Sequence, residues 1–365
     1  MIRRPSLCLV GFAALWIGAG CATVPLDSAL RHFHDGELEA ADAALNTLPE
    51  GRDAVRHLME RGMIRHVRRD YDGSAADLAR AIRLEEELET HSVSKAGASM
   101  LVNDSMLSFR GLPCERTLLH SFQARNYLAR GQWEGAGVEA RNIIRLQEKL
   151  DGFADDAYSR YLAGLCLSLA GDESAAAFQY QIAASLLPET PMDPATGRFS
   201  PATPAGNADP SRFTGSELVC LVDLSGSAGA AGADLYAGGR HLGSARILTD
   251  TETLRALHRE KMASRRMAKA VARIAVKESI AAVVAAHNED LGDMVRFLLF
   301  AVETPDERTW RTLPRSLAVA RVQCPPGLDS FDVVFTGWHG DRRITVKGPF
   351  ARQGGIFVAL CRDYP

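Results

Sequence analysis

The sequence has no surplus of positive charge. Its 42 Lys and Arg stand against 45 Asp and Glu, a formal net charge of −3 over 365 residues. Gripping a phosphate backbone takes a clustered cationic face, so no nucleic-acid partner is expected. Neither a CxxC pair nor a Cys/His spacing of the zinc kind occurs, and no metal is expected. A Gly-Lys-[Ser/Thr] loop opening a helix is missing, and GSAG at 226–229 does not make the Gly-x-Ser-x-Gly elbow of α/β-hydrolases. Those absences argue against nucleotide cradling and against that form of nucleophilic catalysis, and no motif asks for a cofactor. The chain also lacks an uninterrupted apolar run of about 18 residues, the length that crosses a bilayer.

What is present begins with an export signal. MIRRPS carries Arg3 and Arg4, LCLVGFAALWI is apolar, and Gly18-Ala19-Gly20 precedes Cys21. Basic, apolar and small-residue regions in that order predict a secretory signal over 1–20. The small residues before Cys21 resemble the lipobox of bacterial lipoproteins, with Gly18 where that pattern prefers leucine. The resemblance implies an acylated Cys21 as mature N-terminus. Ala22, in place of aspartate, resembles Gram-negative signals that sort to the outer membrane, so the expected location is periplasmic and lipid-anchored at its inner face. Each buried methylene contributes roughly 0.8 kcal/mol, so several acyl chains on one residue hold a protein at a membrane. Loss of 1–20 removes two arginines and no acids, taking the formal charge from −3 to −5.

Of the seven cysteines, Cys8 lies in the signal and Cys21 at the lipid site. That leaves Cys114, Cys166, Cys220, Cys324 and Cys361, an odd number that cannot all pair within one chain. Export permits a disulfide among Cys220, Cys324 and Cys361; buried free thiols are the favoured reading.

The body of the chain divides by pattern. Hydrophobic residues are 46% and charged residues 24%, with length enough for two domains. Four segments align on a turn at Gly36, Arg69, Gly131 and Gly171, spaced by 33, 62 and 40 residues. In the fourth, Gly164 lies seven positions before the turn, and Ala176, Tyr180 and Ala183 lie five, nine and twelve after it. The third keeps Ala124, Tyr127, Trp133 and Ala136, the second Gly62, Tyr71, Leu78 and Ala81, and the first Ala41 and Leu45. These are the small and large positions of a tetratricopeptide repeat (TPR), two antiparallel helices in about 34 residues. Small side chains let helices approach and larger ones fill the adjoining holes, so residues 21–188 are expected to form a TPR-like α-solenoid with a concave groove.

Within it, Glu115, Arg116, His120, Glu139 and Arg141 admit three readings. They could be caps and ion pairs between paired helices, a ligand-recognising cluster on the concave face, or an acid/base set. A Pro- and Gly-rich stretch over 189–214 reads as a linker, and 215–365 as a domain of mainly antiparallel sheet with covering helices. ELVCLVDLSG reads as a buried strand, SGSAGAAGAD as a loop, and 251–302 as helices that cover the sheet. Arg265, Arg266, Lys269, Arg273 and Lys277 lie on one side of a helix over 251–287, which could rest on anionic membrane or wall polymer. SLAVARV, SFDVVFTGW, DRRITVKG and GIFVALCRD read as strands. Asp306, Arg308, Trp310 and Arg321 bracket the helix-to-sheet junction, as an Arg–carboxylate clamp beside an indole or as ligand contacts.

LVNDSMLSFRGLPCERTLLHSFQARNYLARGQWEGAGVEAR, followed by DERTWRTLPRSLAVAR, resembles a group of bacterial TPR-containing lipoproteins without an assigned activity. The resemblance covers most of the mature chain. Phe109, Cys114 and Thr309 depart from the tyrosine, aromatic and serine common at those places. The resemblance implies a periplasmic scaffold whose groove holds an envelope protein, and supplies no catalytic residues. The alternatives are a wall- or surface-glycan enzyme, with Glu115 and Glu139 some 5–9.5 Å apart across a cleft, and a regulator of a peptidoglycan synthase.

Overall fold

The computed structural model describes residues 23–47, 51–94, 108–200, 215–226, 230–265, 267, 308–337 and 340–363. The signal stretch, Cys21, Asp306 and the basic positions from 266 to 277 lie outside them.

Helices fill the first half: α1 Thr23–His34, α2 Leu38–Ala44, α3 Ala54–Val67, α4 Tyr71–Ser94, α5 Pro113–Ala129, α6 Trp133–Lys149, α7 Ala157–Leu169 and α8 Glu173–Leu186. They pack as successive pairs, α1 on α2, α3 on α4, α5 on α6 and α7 on α8. The four aligned turns share one geometry. Gly36, Arg69, Gly131 and Gly171 all have left-handed φ, at 89°, 64°, 67° and 88°. In each, the next residue's N–H donates to a carbonyl five positions back: Glu37 to His32 (2.8 Å), and Asp70 to Arg65, Gln132 to Tyr127 and Asp172 to Leu167 (each 2.9 Å). This is the Schellman closure, which satisfies a helix's last carbonyls and reverses the chain. The packing inside the pairs repeats as well. A Cβ on Gly164 would lie 2.8 Å from the Tyr180 ring, and one on Gly62 would overlap Leu78. Both contacts join the position seven before a turn to the position nine after it.

The second half is two stacked sheets. One has five strands in the order β4 (Arg246–Asp250), β5 (Ser316–Gln323), β1 (Glu217–Leu224), β9 (Ile356–Arg362), β8 (Ala351–Gln353). Its pairings are antiparallel except β1 with β9, which run parallel. The other is antiparallel, in the order β3 (Arg240–Ser244), β2 (Ala230–Ala237), β6 (Ser330–Gly337), β7 (Arg342–Lys347). The period of two sorts the core. Leu218, Cys220 and Val222 of β1 meet Leu235, Phe331, Val333 and Phe335 of the second sheet. Val219 and Leu221 point the other way, into a cluster with Leu118, Phe122, Tyr158, Tyr161 and Trp310. Burial on both faces is why β1 reads as an unbroken apolar run. Strand β6, with one face inward, alternates.

The α+β layout expected from the sequence is present, but the expected single sheet is two. Residues 230–250, read partly as a loop, are β2, β3 and β4. Their small residues hide the strand signal because the layers come close there: a Cβ on Gly243 would lie 2.7 Å from Val322 of β5. On the five-stranded sheet, α5 lies against β9 and α7 against β4; most of 251–302, expected to cover the sheet, lies outside the described residues. A helix over 251–265, α9, sets His258 on the Ala154 carbonyl (2.9 Å) and Leu254 beside Leu112 and Cys114; residues beyond 267 in that stretch are not among those described. The linker is packed where described: Phe199 stacks on Tyr161 with ring centroids 5.5 Å apart, and Met192 is buried. Helices and sheet therefore share one core.

Polar ties cross the same seam. The Glu60 carboxylate of α3 accepts the backbone N–H groups of Arg311 (2.8 Å) and Thr312 (2.9 Å), and the Thr312 hydroxyl (2.7 Å). Asp156, which caps α7, accepts the Thr249 hydroxyl of β4. Such buried carboxylates satisfy irregular backbone that water cannot reach.

Candidate functional site

The residues singled out from the sequence fall into separate interactions. Glu115 is 0% exposed; Oε2 accepts the Leu112 N–H (2.9 Å) and Oε1 the Trp310 N–H (3.0 Å), with Arg255 Nη1 3.7 Å away. Burial holds its carboxyl above the usual carboxylate range, against the opposing pull of those N–H bonds. Trp310 is fully buried, edge-on to Phe122 at 5.7 Å. Glu115 thus ties the two sequence blocks together, helix to strap. Arg116 pairs with Glu85 and Glu89 of α4, both at 2.8 Å. His120 Nδ1 meets Glu139 Oε2 at 2.6 Å, joining α5 to α6. Arg141 is exposed on α6. Arg308 pairs with Asp53 (2.8 Å), and Arg321 with Glu217 (2.6 Å). Glu115, with no solvent-facing surface and both oxygens on backbone N–H groups, cannot share a water-filled cleft with Glu139; the acid/base pair is not formed. Nor do α5 and α7 show an open concave face, because the five-stranded sheet lies against it.

A cleft of about 140 Å³ opens elsewhere on the seam. His66 and Val67 reach it from the end of α3, Arg69 from the turn, Tyr71 from the start of α4 and Arg125 from α5. Asp223 of β1 and Leu360, Cys361 and Arg362 of β9 form the far wall, with Leu38 and Ile344 at the sides. The parallel pairing of β1 with β9 sets Asp223 beside Arg362, and the Schellman turn brings Arg69 over them.

The electrostatics are uneven. Arg125 Nη1 donates to Asp223 Oδ1 at 2.7 Å, and both side chains are almost wholly buried. Burial works against the Arg125 charge, and Asp223 together with the Tyr158 and Tyr71 hydroxyls more than offsets it, holding the guanidinium firmly protonated. Arg125 also lies over the Phe122 ring at 4.5 Å. His66 Nδ1 is 2.6 Å from Asn126 Oδ1; burial first, then the Arg125 charge, pushes its pKa down to about 3. Its ring is neutral at any physiological pH. Burial pushes the Cys361 thiol up to about 12 and raises the Tyr71 hydroxyl, both against the pull of Arg69. Neither is a nucleophile near neutral pH.

No protein-family model matches the chain, and no curated protein matches it. The cleft is therefore judged on its own chemistry. Among the described residues, no three His, Cys, Asp or Glu side chains converge as a metal site, and no helix is long and apolar enough to cross a membrane. The five cysteines from Cys114 onward are free thiols, and all are buried. Sequence reasoning missed the cleft because its lining comes from elements spread between Leu38 and Arg362. One signal was visible: Arg69 occupies the turn position that glycine holds in the other three pairs.

Proposed function

We propose that this chain is a lipid-tethered envelope scaffold of the TPR type, held at the periplasmic side of the outer membrane by acylated Cys21, and that it works by contact area. The observation that carries this reading is the fourfold recurrence of one closed turn, with the same close contact across it in two of the four pairs. Such units stack and present surfaces that recognise other proteins. The sheet occupies the inner face of α5 and α7, so the partner is met on the outer helices. Val138 of α6 is 53% exposed and Phe178 of α8 is 57% exposed, each seven residues after its turn glycine. Large apolar groups recurring at one repeat position on the outside suit a docking face. Arg141, one turn from Val138 and exposed, favours an envelope protein that brings an acidic residue beside its own apolar ones.

A photo-crosslinking residue placed at Phe178 or at Val138 of the full chain, in intact cells, tests this. Discrete adducts with an envelope protein are expected, lost on Cys21→Ser, which releases the tether. If a probe at exposed Arg343 on β7 gives the same bands, the outer-helix reading fails. If palmitate labelling is unchanged by Cys21→Ser, the tether fails.

A further inference from the structure

We propose that the cleft between the α3–α4 turn and β9 binds a small oxyanion carried on a short apolar body, and that Arg69 holds its charge. Three guanidinium groups line the cleft, of Arg69, Arg125 and Arg362, against one carboxylate, Asp223. That carboxylate is already taken by Arg125 at 2.7 Å. Arg362 is engaged with the Thr312 carbonyl at 3.1 Å and over the Phe33 ring at 5.2 Å. Arg69 is exposed, and among the described residues its guanidinium has no hydrogen-bond or ion-pair partner. Deeper in, the buried Nε of Arg125 has no acceptor either. A buried donor left unmet is costly, and an incoming oxygen would relieve it. The neutral His66 ring adds no charge of either sign.

The backbone points the same way. Gly36, Gly131 and Gly171 take the left-handed turn at no steric cost. Arg69 takes it at φ 64°, a conformation that costs a residue with a Cβ roughly 1–2 kcal/mol. Among the described residues, no hydrogen bond or ion pair of its own side chain offsets that cost. Strain of this kind collects where a side chain serves a ligand. Leu38, Val67, Ile344 and Leu360 supply an apolar wall. At about 140 Å³ the space is well below the roughly 300–1,000 Å³ of drug-sized sites, so the body is short. The walls come from helices and sheets alike, so an occupant would bridge them. The inference does not rest on the scaffold reading.

The test is calorimetric titration of the full chain with acetate, butyrate, hexanoate and inorganic phosphate, alongside thermal unfolding. Butyrate should bind, about fourfold tighter than acetate if one of its two further methylenes reaches the wall and about fifteenfold tighter if both do, at about 0.8 kcal/mol each. Arg69→Gly, which installs the residue of the other three turns, should leave Tm equal or higher and weaken butyrate at least tenfold. Arg69→Lys, which keeps charge and strain, should retain part of the affinity. The proposal is overturned if no probe binds the wild type, if phosphate binds while the carboxylates do not, or if Arg69→Gly binds as the wild type does. It is equally overturned if Arg69→Gly lowers Tm, since the arginine is then a structural residue.

Discussion

Removing either partner of the Arg125–Asp223 pair should destabilise the protein far more than removing both. The groups sit 2.7 Å apart with side chains 1% and 2% exposed, joining α5 to β1 beneath the cleft. At that distance and an effective dielectric of about 20, the attraction is on the order of 6 kcal/mol. Desolvating each ion costs several kcal/mol, so the pair as a whole is worth little. A lone survivor keeps its desolvation cost and loses the attraction, a deficit of roughly 3–5 kcal/mol. Arg125→Met retains packing on Phe122 and Asp223→Leu fits the apolar strand, so the double variant should lie within about 2 kcal/mol of wild type. Urea unfolding of the four proteins, followed by far-UV circular dichroism, gives the cycle. Single losses under 1 kcal/mol, or losses that simply add, would refute the assignment of a desolvated, mutually dependent pair.

His66 is held neutral, with a folded pKa near 3 against an ordinary value of 6.5. A base whose folded pKa is depressed contributes stability above about pH 6.5 that is lost as the pH falls towards 3, about 2 kcal/mol of it between pH 7 and pH 5. The carboxyls of Glu60 and Glu115, raised by burial, act oppositely, so the effect is read as the difference between wild type and His66→Gln at the two pH values; parallel profiles would exclude a buried neutral ring. Glu115→Gln sets an amide NH2 against one of two backbone N–H donors, and chemical denaturation should show a loss of about 2–4 kcal/mol. Gly164→Ala drives a methyl to 2.8 Å from Tyr180 and should cost about 1–3 kcal/mol by overpacking, seen as a lower Tm. Thiol titration of the folded chain should find Cys166 and Cys220 unreactive until denaturant is added, because burial raises both thiols.

Much of the helical half was readable from spacing. Glycine seven before the turn and a large residue nine after it are a packing rule written in the second and fourth pairs, and Gly62 against Leu78 and Gly164 against Tyr180 follow it. The unbroken apolar run of β1 was equally plain, because both its faces are buried. Strands β2 to β4 escaped because the strand signal is side-chain bulk, and close layers forbid bulk at Gly243. Glu115 was noticed for its charge, but its acceptor role depends on Trp310, 195 positions later, and no local pattern reports that partner. The cleft was out of reach for the same reason: it is a meeting of elements, and only the odd residue at one turn betrayed it.

The position of β9 constrains how the molecule can be made. It lies between β1 and β8 and pairs in parallel with a strand some 139 residues earlier, so the five-stranded sheet lacks an inner member until residues near 362 have left the ribosome. Pairing over such separations is slow, because loop closure precedes any reward. The topology that closes the five-stranded sheet thereby leaves its inner strand β9 to be made last among the described strands.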